Sequence, residues 1–407
     1  MFQVWSGWAW LSTNTNRVLD NMLAFKQKSI KILTLSSMIG FFSSSAVALE
    51  LNPEIGVVLE GLFNSGETAL SGQSEGLSLG HNEITLSSPI DDLFHGRLTS
   101  VLETHDGEVE VGLEEAFVET TALPFHMTVK AGRFLSQVGY LNSRHTHEDD
   151  FIGRPMVYRA FLGNHYFDDG LRVNLLMPVS FYWQVGAEAF NGSQLIGSGH
   201  DEQVGVYTLN TKFGGDISTS SSWQGGLSYL GNRLTNVESG EEKEEEHDHS
   251  EDSHDHGDHE GHNHSAAYSG RHIYIADFVW KWAPNGNSKE KQWVFSTEYL
   301  RANHINLYAD PEDYQSGWYG SLVHKFAPSW SAGYRYGEVT LKQAHEDHFD
   351  DQSSKEHQVS LTWARSHFSS VRLTYSAQDS VGFNPQDDHS IGLQFLMSFG
   401  AHGAHEY

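Results

Sequence analysis

Residues 389–400 read HSIGLQFLMSFG. Ile391, Leu393, Phe395, Met397 and Phe399 take every second place, with Gly392, Gln394 and Ser398 between them. A period of two puts the apolar side chains on one face of a β-strand and the small or polar ones on the other. The pattern recurs upstream. Val371, Leu373 and Tyr375 alternate with Arg372, Thr374 and Ser376, and Val359, Leu361 and Trp363 with Ser360, Thr362 and Ala364. Trp330, Ala332, Tyr334 and Tyr336 alternate with Ser331, Gly333, Arg335 and Gly337, and the series begins as early as Ile55, Val57 and Leu59. No stretch holds a helical period over four turns.

A soluble sandwich also alternates, so further signs are needed. The repeat runs along the whole chain after residue 50. Trp280, Trp282, Trp293, Trp318, Tyr319 and Trp330 fall near strand ends, as interfacial girdles require. The faces opposite the apolar ones carry Arg, Thr, Ser, Gly and Glu, which suits a wet lumen. Together these predict an all-β protein, a transmembrane antiparallel β-barrel. Strands are expected to start near residues 53, 81, 93, 108, 125, 169, 181, 204, 222, 270, 292, 314, 330, 356, 369 and 389. That is about sixteen, an even number as in bacterial single-chain barrels. Short Pro/Gly/Ser-rich turns alternate with the long connections 64–80, 136–168, 192–203, 233–268, 304–312 and 340–355. Short periplasmic turns and longer outer loops are the known asymmetry of such barrels. One residue breaks phase: Glu115 falls on the lipid face of Val109, Val111, Leu113 and Phe117, which implies a bulge or an error of phase in this strand.

Composition excludes several classes. The chain has 407 residues, 53 Asp+Glu against 25 Lys+Arg, a net charge of −28, 25 His and no Cys. Without a basic excess there is no electrostatic footprint for nucleic acid. Without Cys there is no disulfide framework, zinc ribbon or thiol catalysis. At 38% hydrophobic residues the chain is too polar for a helical transporter, which needs several apolar runs of about 20 residues.

Residues 1–48 read as an address. Lys26, Lys28 and Lys31 precede the apolar stretch Ile32 to Phe42, and a small-residue tail ends Ala46-Val47-Ala48, an A-x-A cleavage signal. Residues 1–21 read as an extension ahead of Met22. The barrel is expected over 49–407, in the bacterial outer membrane.

The chemistry is concentrated in the long connections. Residues 241–264 read EEKEEEHDHSEDSHDHGDHEGHNH, with His247, His249, His254, His256, His259, His262 and His264 among dense carboxylates. This composition cannot build a packed core, so 233–268 is expected to be a disordered external loop. Imidazole is the commonest neutral metal ligand and is mostly unprotonated at neutral pH. Nitrogen and oxygen ligands without sulfur suit Zn²⁺, Ni²⁺, Cu²⁺ or Co²⁺. The expectation is several weak, exchanging sites. His145 and His147 with Glu148, Asp149 and Asp150 recur in 136–168, His200 with Asp201 and Glu202 in 192–203, and His304 with Asp310, Glu312 and Asp313 beyond 304. His345 and His348 with Asp350 and Asp351 lie in 340–355. All fall on the outward side by parity, where they would enrich divalent cations and repel anions. His402 and His405 follow the last strand on the periplasmic side. Arg97, Arg335 and Arg372 point to the lumen by alternation, with His95 and Glu103 beside them, and read equally as pore-lining or as a structural network. The 136–168 connection is long enough to fold inward, with Arg144, Arg154 and Arg159 lining a constriction.

A resemblance adds to this reading. Ala131-Gly132-Arg133-Phe134-Leu135, Gly139-Tyr140-Leu141-Asn142, Arg144-His145-Thr146-His147, Pro155 to Asn164 and Asp168-Asp169-Gly170 resemble the zinc-regulated outer-membrane protein family of proteobacteria, as does the closing run Phe399 to His405. The resemblance implies an outer-membrane barrel made under zinc limitation and assigned to zinc uptake, often labelled a TonB-dependent receptor. Such receptors carry a plug and a 22-stranded barrel; here strands start almost at once after the address, so a porin-like route without a plug domain is expected. The leading expectation is a channel that captures divalent metal, Zn²⁺ first, on its outer loops and passes it to the periplasm. The rivals are a metal-binding surface, storage or adhesion barrel without an open pore, TonB-type uptake, and an outer-membrane hydrolase. No Ser motif supports the last, and the chain is not expected to be an enzyme. The expected partners are divalent metal ions and outer-membrane lipid, with a homo-oligomer among the expected assemblies.

Overall fold

The computed structural model describes residues 53–400 except 74, 106–107, 196–203, 234–267, 269, 306–311, 346–347 and 384–386. The predicted address, His200 and its acidic neighbours, the seven histidines of 241–264, and His402 and His405 lie outside the described residues.

Seventeen strand segments follow one another: β1 (Glu54–Asn64), β2 (Gly76–Leu79), β3 (Asn82–Pro89), β4 (Phe94–His105), β5 (Glu108–Thr120), β6 (Met127–Leu135), β7 (Phe167–Leu176), β8 (Tyr182–Phe190), β9 (Val206–Ser218), β10 (Ser221–Asn232), β11 (His272–Trp282), β12 (Gln292–Asn303), β13 (Tyr314–Ala327), β14 (Trp330–His345), β15 (His348–Ser366), β16 (Ser369–Val381) and β17 (His389–Gly400). Neighbours in sequence pair antiparallel, and β1 closes the sheet against β17, with Val57 opposite Phe399 and Leu59 opposite Met397. On its other edge β1 pairs with β3 at one end and β2 at the other. β2 and β3 are therefore one stave broken at Gly80 and His81, and the seventeen segments make a closed sixteen-stave barrel. Closure gives every stave two neighbours, although β6 meets β5 only from Ala116 to Glu119.

The sidedness is the reverse of a soluble protein. In β17, Leu393, Phe395 and Met397 are 44%, 46% and 40% exposed, whereas Gln394 and Ser398 between them are each 4% exposed. The apolar face looks out to hydrocarbon and the polar face into the lumen. The start of β1 and the end of β17 sit on the rim that carries the short connections, since Gly56 pairs with Gly400. By the asymmetry of these barrels this rim is periplasmic.

Two expectations change. The 340–355 connection is not a loop. β14 and β15 run on until His345 faces His348, and only 346–347 separate them. In this projecting hairpin the pairing persists with charged side chains, as where Lys342 meets Asp313 and Asp351, each at 3.3 Å. Beyond Leu341, which is buried against α1, the paired residues are mostly polar or charged on both faces, so this part of the strands carries no alternating signal. Tyr319, expected in an aromatic girdle, is 1% exposed and points inward, where its hydroxyl donates to Glu298 at 2.9 Å. Its neighbour Trp318 takes the outward place.

The segment 136–166 leaves the top of β6, turns into the lumen and returns at β7. Its ends are tied together by Asn142, whose amide donates to Ser136 O and Tyr166 O, each at 2.8 Å, and accepts from Tyr166 N at 2.6 Å. Within it lies the helix α1 (Met156–Leu162), which starts at Pro155 and ends where Gly163 takes φ +58°. Two turns of helix are not stable alone in water. This one persists because Met156, Val157, Tyr158, Ala160, Phe161 and Leu162 are all buried, packing with inward apolar residues of β10 to β14 such as Leu230, Ile273, Leu300, Val339 and Leu341. Each large side chain so buried contributes roughly 1.5–3 kcal/mol. The barrel thus has a small apolar core inside its lumen, and no separate plug domain appears among the described residues.

Candidate metal centre

β5 departs from strict alternation at one place. Thr99 faces Glu115 and Ser100 faces Leu113, so Glu114 is an extra residue without a partner across the ladder. A bulge of this kind re-aims side chains. Both Glu114 and Glu115 turn into the lumen, at 3% and 4% exposure. This is the bulge that the phase of Glu115 implied.

A second interruption faces it. At the break between β2 and β3, Asn82 holds the backbone by donating to Gly80 O and accepting from Glu60 N. His81 N donates to the Glu60 carboxylate at 2.7 Å. A Cβ at Gly80 would meet the Glu60 carboxyl at 2.5 Å and displace it from its bond to His81 N. The break turns the rings and carboxylates of His81 and Glu83 toward β4 and β5. The inward segment supplies the remaining side: His145 and His147 flank the start of a single 3₁₀ turn, Thr146–Glu148, and His165 stands two residues before β7.

These elements bring eight side chains together. His145 Nδ1 lies 3.1 Å from Glu114 Oε2 and 3.5 Å from Glu83 Oε2, and its Nε2 lies 3.3 Å from Glu115 Oε2. His147 Nδ1 is 2.7 Å from Glu83 Oε1. His81 Nε2 is 3.2 Å from Glu114 Oε1 and 3.5 Å from Glu83 Oε1, while its Nδ1 is 2.5 Å from Glu103 Oε1. His165 Nε2 is 2.9 Å from Glu114 Oε1. Two groups, Glu83 with His145 and His147, and His81 with Glu83 and Glu114, each gather three ligand atoms closely enough to hold one ion.

Burial decides the electrostatics. Taking a carboxylate out of water costs several kcal/mol unless an opposite charge compensates it. Burial alone would push His145 below the ordinary imidazole value, but the Glu83 and Glu114 carboxylates outweigh it and hold His145 well above. A bound cation would supply the same compensation. The centre borders a cavity of about 870 Å³ whose wall also includes Arg97, Tyr140 and Arg144 and which reaches Thr219, Ser220 and Ser288 on the periplasmic rim.

The predicted site residues divide accordingly. His145 and His147, expected on an outer loop, lie instead within the lumen, because the segment that carries them folds inward. The structure gives His345 and His348 as paired backbone positions at a hairpin tip. Arg97 reaches Glu115 at 3.7 Å beside the centre. Arg335 and Arg372 point inward but are buried: Arg335 donates to Gly153 O at 2.8 Å and Arg372 to Gln394 at 2.6 Å. His95 approaches Ser87 Oγ at 3.0 Å. Of the arginines in the inward segment, Arg154 pairs with Asp149 at 2.8 Å and Arg159 with Glu356 at 2.7 Å, so they brace the segment, and Arg144 alone of the three lines the cavity. Sequence reasoning missed Glu83, Glu114, His81 and His165 altogether.

The barrel has counterparts among solved structures. OprB of Pseudomonas putida at high pH matches with a TM-score of 0.55 at 12% identity, over 86% of this chain and 94% of that one. A loop L8 deletion mutant of OmpT, an outer membrane protein of Vibrio cholerae, matches with a TM-score of 0.53 at 10% identity, over 85% and 99%. The outer membrane channel DcaP of Acinetobacter baumannii matches with a TM-score of 0.51 at 11% identity, over 86% and 97%. This chain is a porin-like barrel of the bacterial outer membrane. Among curated proteins, an uncharacterised protein of Aquifex aeolicus strain VF5 is 28% identical to the porin-like barrel over 363 residues, 82% of this chain and 71% of that relative. No protein-family profile matches the chain.

Proposed function

We propose that this porin-like barrel takes divalent metal from the exterior, Zn²⁺ first, and passes it through the lumen to the periplasm. The observation that carries the reading is the buried set of His81, Glu83, Glu114, His145 and His147 on the lumen wall, beside a cavity that reaches the periplasmic rim. Three of these groups come from the barrel wall and two from the inward segment, so metal affinity depends on the fold rather than on composition. The acidic, histidine-rich tract 241–264 collects cations, and the lumenal centre selects among them. The resemblance to the zinc-regulated family favours zinc over nickel or copper, which the same nitrogen and oxygen ligands accept. Metal is cargo in this reading, and the barrel is not an enzyme.

A second reading has its own support. The apolar packing of α1 inside the barrel favours a protein that binds metal at the surface or stores it, without an open pore. One experiment separates the two. Purified barrel in liposomes loaded with a zinc-sensitive dye should admit zinc faster than protein-free liposomes, and His145→Ala should slow that entry. Absence of zinc entry together with tight zinc binding would favour storage. Absence of both would end the metal reading. By analogy with the trimer form of Vibrio cholerae OmpT, a homotrimer is the assembly we propose, to be checked by light scattering in detergent.

A further inference from the structure

The geometry points to a dinuclear centre, in which Glu83 and Glu114 bridge two divalent cations held side by side. The inference rests on the metal reading above and specifies its site. Each of these two carboxylates turns one oxygen to either side. Glu83 Oε2 and Glu114 Oε2 face His145 Nδ1, at 3.5 and 3.1 Å. Glu83 Oε1 and Glu114 Oε1 face His81 Nε2, at 3.5 and 3.2 Å. The two sides are thus nearly equivalent, each an imidazole nitrogen opposite one oxygen from both glutamates. His147, stacked on His145 with ring centroids 5.6 Å apart, reaches Glu83 Oε1 at 2.7 Å and so stands between the two sides, and His165 Nε2 adds to the second.

The separations also fit coordination. Zn–N and Zn–O bonds of about 2.0–2.1 Å set neighbouring ligand atoms of a tetrahedron about 3.3 Å apart. The four bridging contacts run from 3.1 to 3.5 Å. His81 Nε2 lies 3.2 Å and His165 Nε2 2.9 Å from the same oxygen, Glu114 Oε1, so buried ligand atoms of three side chains converge there. A cation at that point would take the place of these ion-pair contacts.

The far nitrogens are held as metal-bound imidazoles are. His81 Nδ1 meets Glu103 at 2.5 Å and His145 Nε2 faces Glu115, so each ring has a carboxylate behind it. That relay fixes the ring and the tautomer and makes the coordinating nitrogen more basic. Two cations on shared carboxylates would stand about 3.5–4 Å apart.

The full-length barrel in detergent tests this, loaded with zinc, dialysed, and examined by metal analysis and zinc X-ray absorption. We expect a zinc–zinc distance near 3.5 Å in the wild type. We expect His81→Ala to bind one zinc fewer per chain and to lose that distance, and Glu83→Gln with Glu114→Gln to bind two fewer. Subtraction removes the contribution of the outer tract from these counts. Glu103→Gln leaves both ligands in place; it should keep both ions and weaken one about 10–100-fold. Heat-modifiable migration in gels reports that each variant is folded. Loss of a single zinc from the double glutamine variant, with no zinc–zinc distance in the wild type, would overturn the dinuclear centre while leaving the metal reading intact. No loss of zinc from any folded variant would overturn both.

Discussion

Glu114 and Glu115 are consecutive residues of one strand, and both carboxylates point into the lumen. In a regular strand one of them would face lipid. The bulge opposite Thr99 and Ser100 is what allows two adjacent acids on one side, and it delivers Glu114 to His81 and His145. Deleting Glu114 should restore alternation and leave a barrel that still shows heat-modifiable migration. Zinc affinity of the lumenal centre should fall by about a hundredfold, since a ligand is lost while Glu115 keeps its place opposite Thr99. Isothermal titration against the wild type checks this; unchanged affinity would show that the bulge does not serve the metal.

Glu298 holds the inward segment. It accepts from Tyr140 N at 2.8 Å, Leu141 N at 3.1 Å, Tyr158 Oη at 2.8 Å and Tyr319 Oη at 2.9 Å. Glu298→Ala leaves four donors without an acceptor in the barrel interior. Each costs about 1–3 kcal/mol if nothing replaces the bond, and relaxation makes the sum smaller than four separate losses. We expect a loss of about 3–5 kcal/mol in urea unfolding, and a larger single-channel conductance as α1 loosens. Glu298→Gln keeps two lone pairs and should lose much less.

How far the sequence reveals this molecule follows from what each part is made of. The staves were legible because lipid on one side and water on the other impose a period of two, and most of the expected strand starts agree with the observed ones. The end of the β14–β15 hairpin was not, because beyond Leu341, which is buried against α1, its paired residues are mostly polar or charged on both faces. The centre was half legible. His145-Thr146-His147 reads as a ligand pair on its own, but nothing in the sequence brings it to Glu83, more than sixty positions away. The usable signals were the phase error at Glu115 and the polar triplet His81-Asn82-Glu83, where alternation stops. Irregularities in an otherwise periodic barrel marked the site.

Acidity should act on the barrel in opposite directions with and without metal. His145 has its imidazole held above the ordinary value of about 6.5, because the charged ring compensates Glu83 and Glu114. The stability this contributes is fully present below the unfolded value and is lost as pH rises through the higher folded one. With chelator present, the urea midpoint should therefore fall as pH climbs above about 6.5. Zinc needs the deprotonated ring, so its stabilisation grows over the same range. The two curves should diverge with rising pH, and His145→Gln should flatten the chelator curve. Parallel curves would mean that the imidazole and the cation do not compete for one place.

The outer tract and the lumenal centre should be separable by ionic strength. In the proposed reading residues 241–264 act through charge density, which would concentrate cations and is screened over about 10 Å at 0.1 M salt. Removing them should slow zinc entry into liposomes about tenfold at low salt and low zinc. The deficit should shrink as salt or zinc is raised, because screening and saturation both cancel a concentrating effect. His145→Ala acts differently. It removes a coordinate bond at a buried position where salt does not reach, so its deficit should persist at every ionic strength and at saturating zinc. If both variants responded to salt alike, the histidines of the lumen would be doing no more than the surface charges do, and selection of the metal would have to lie elsewhere.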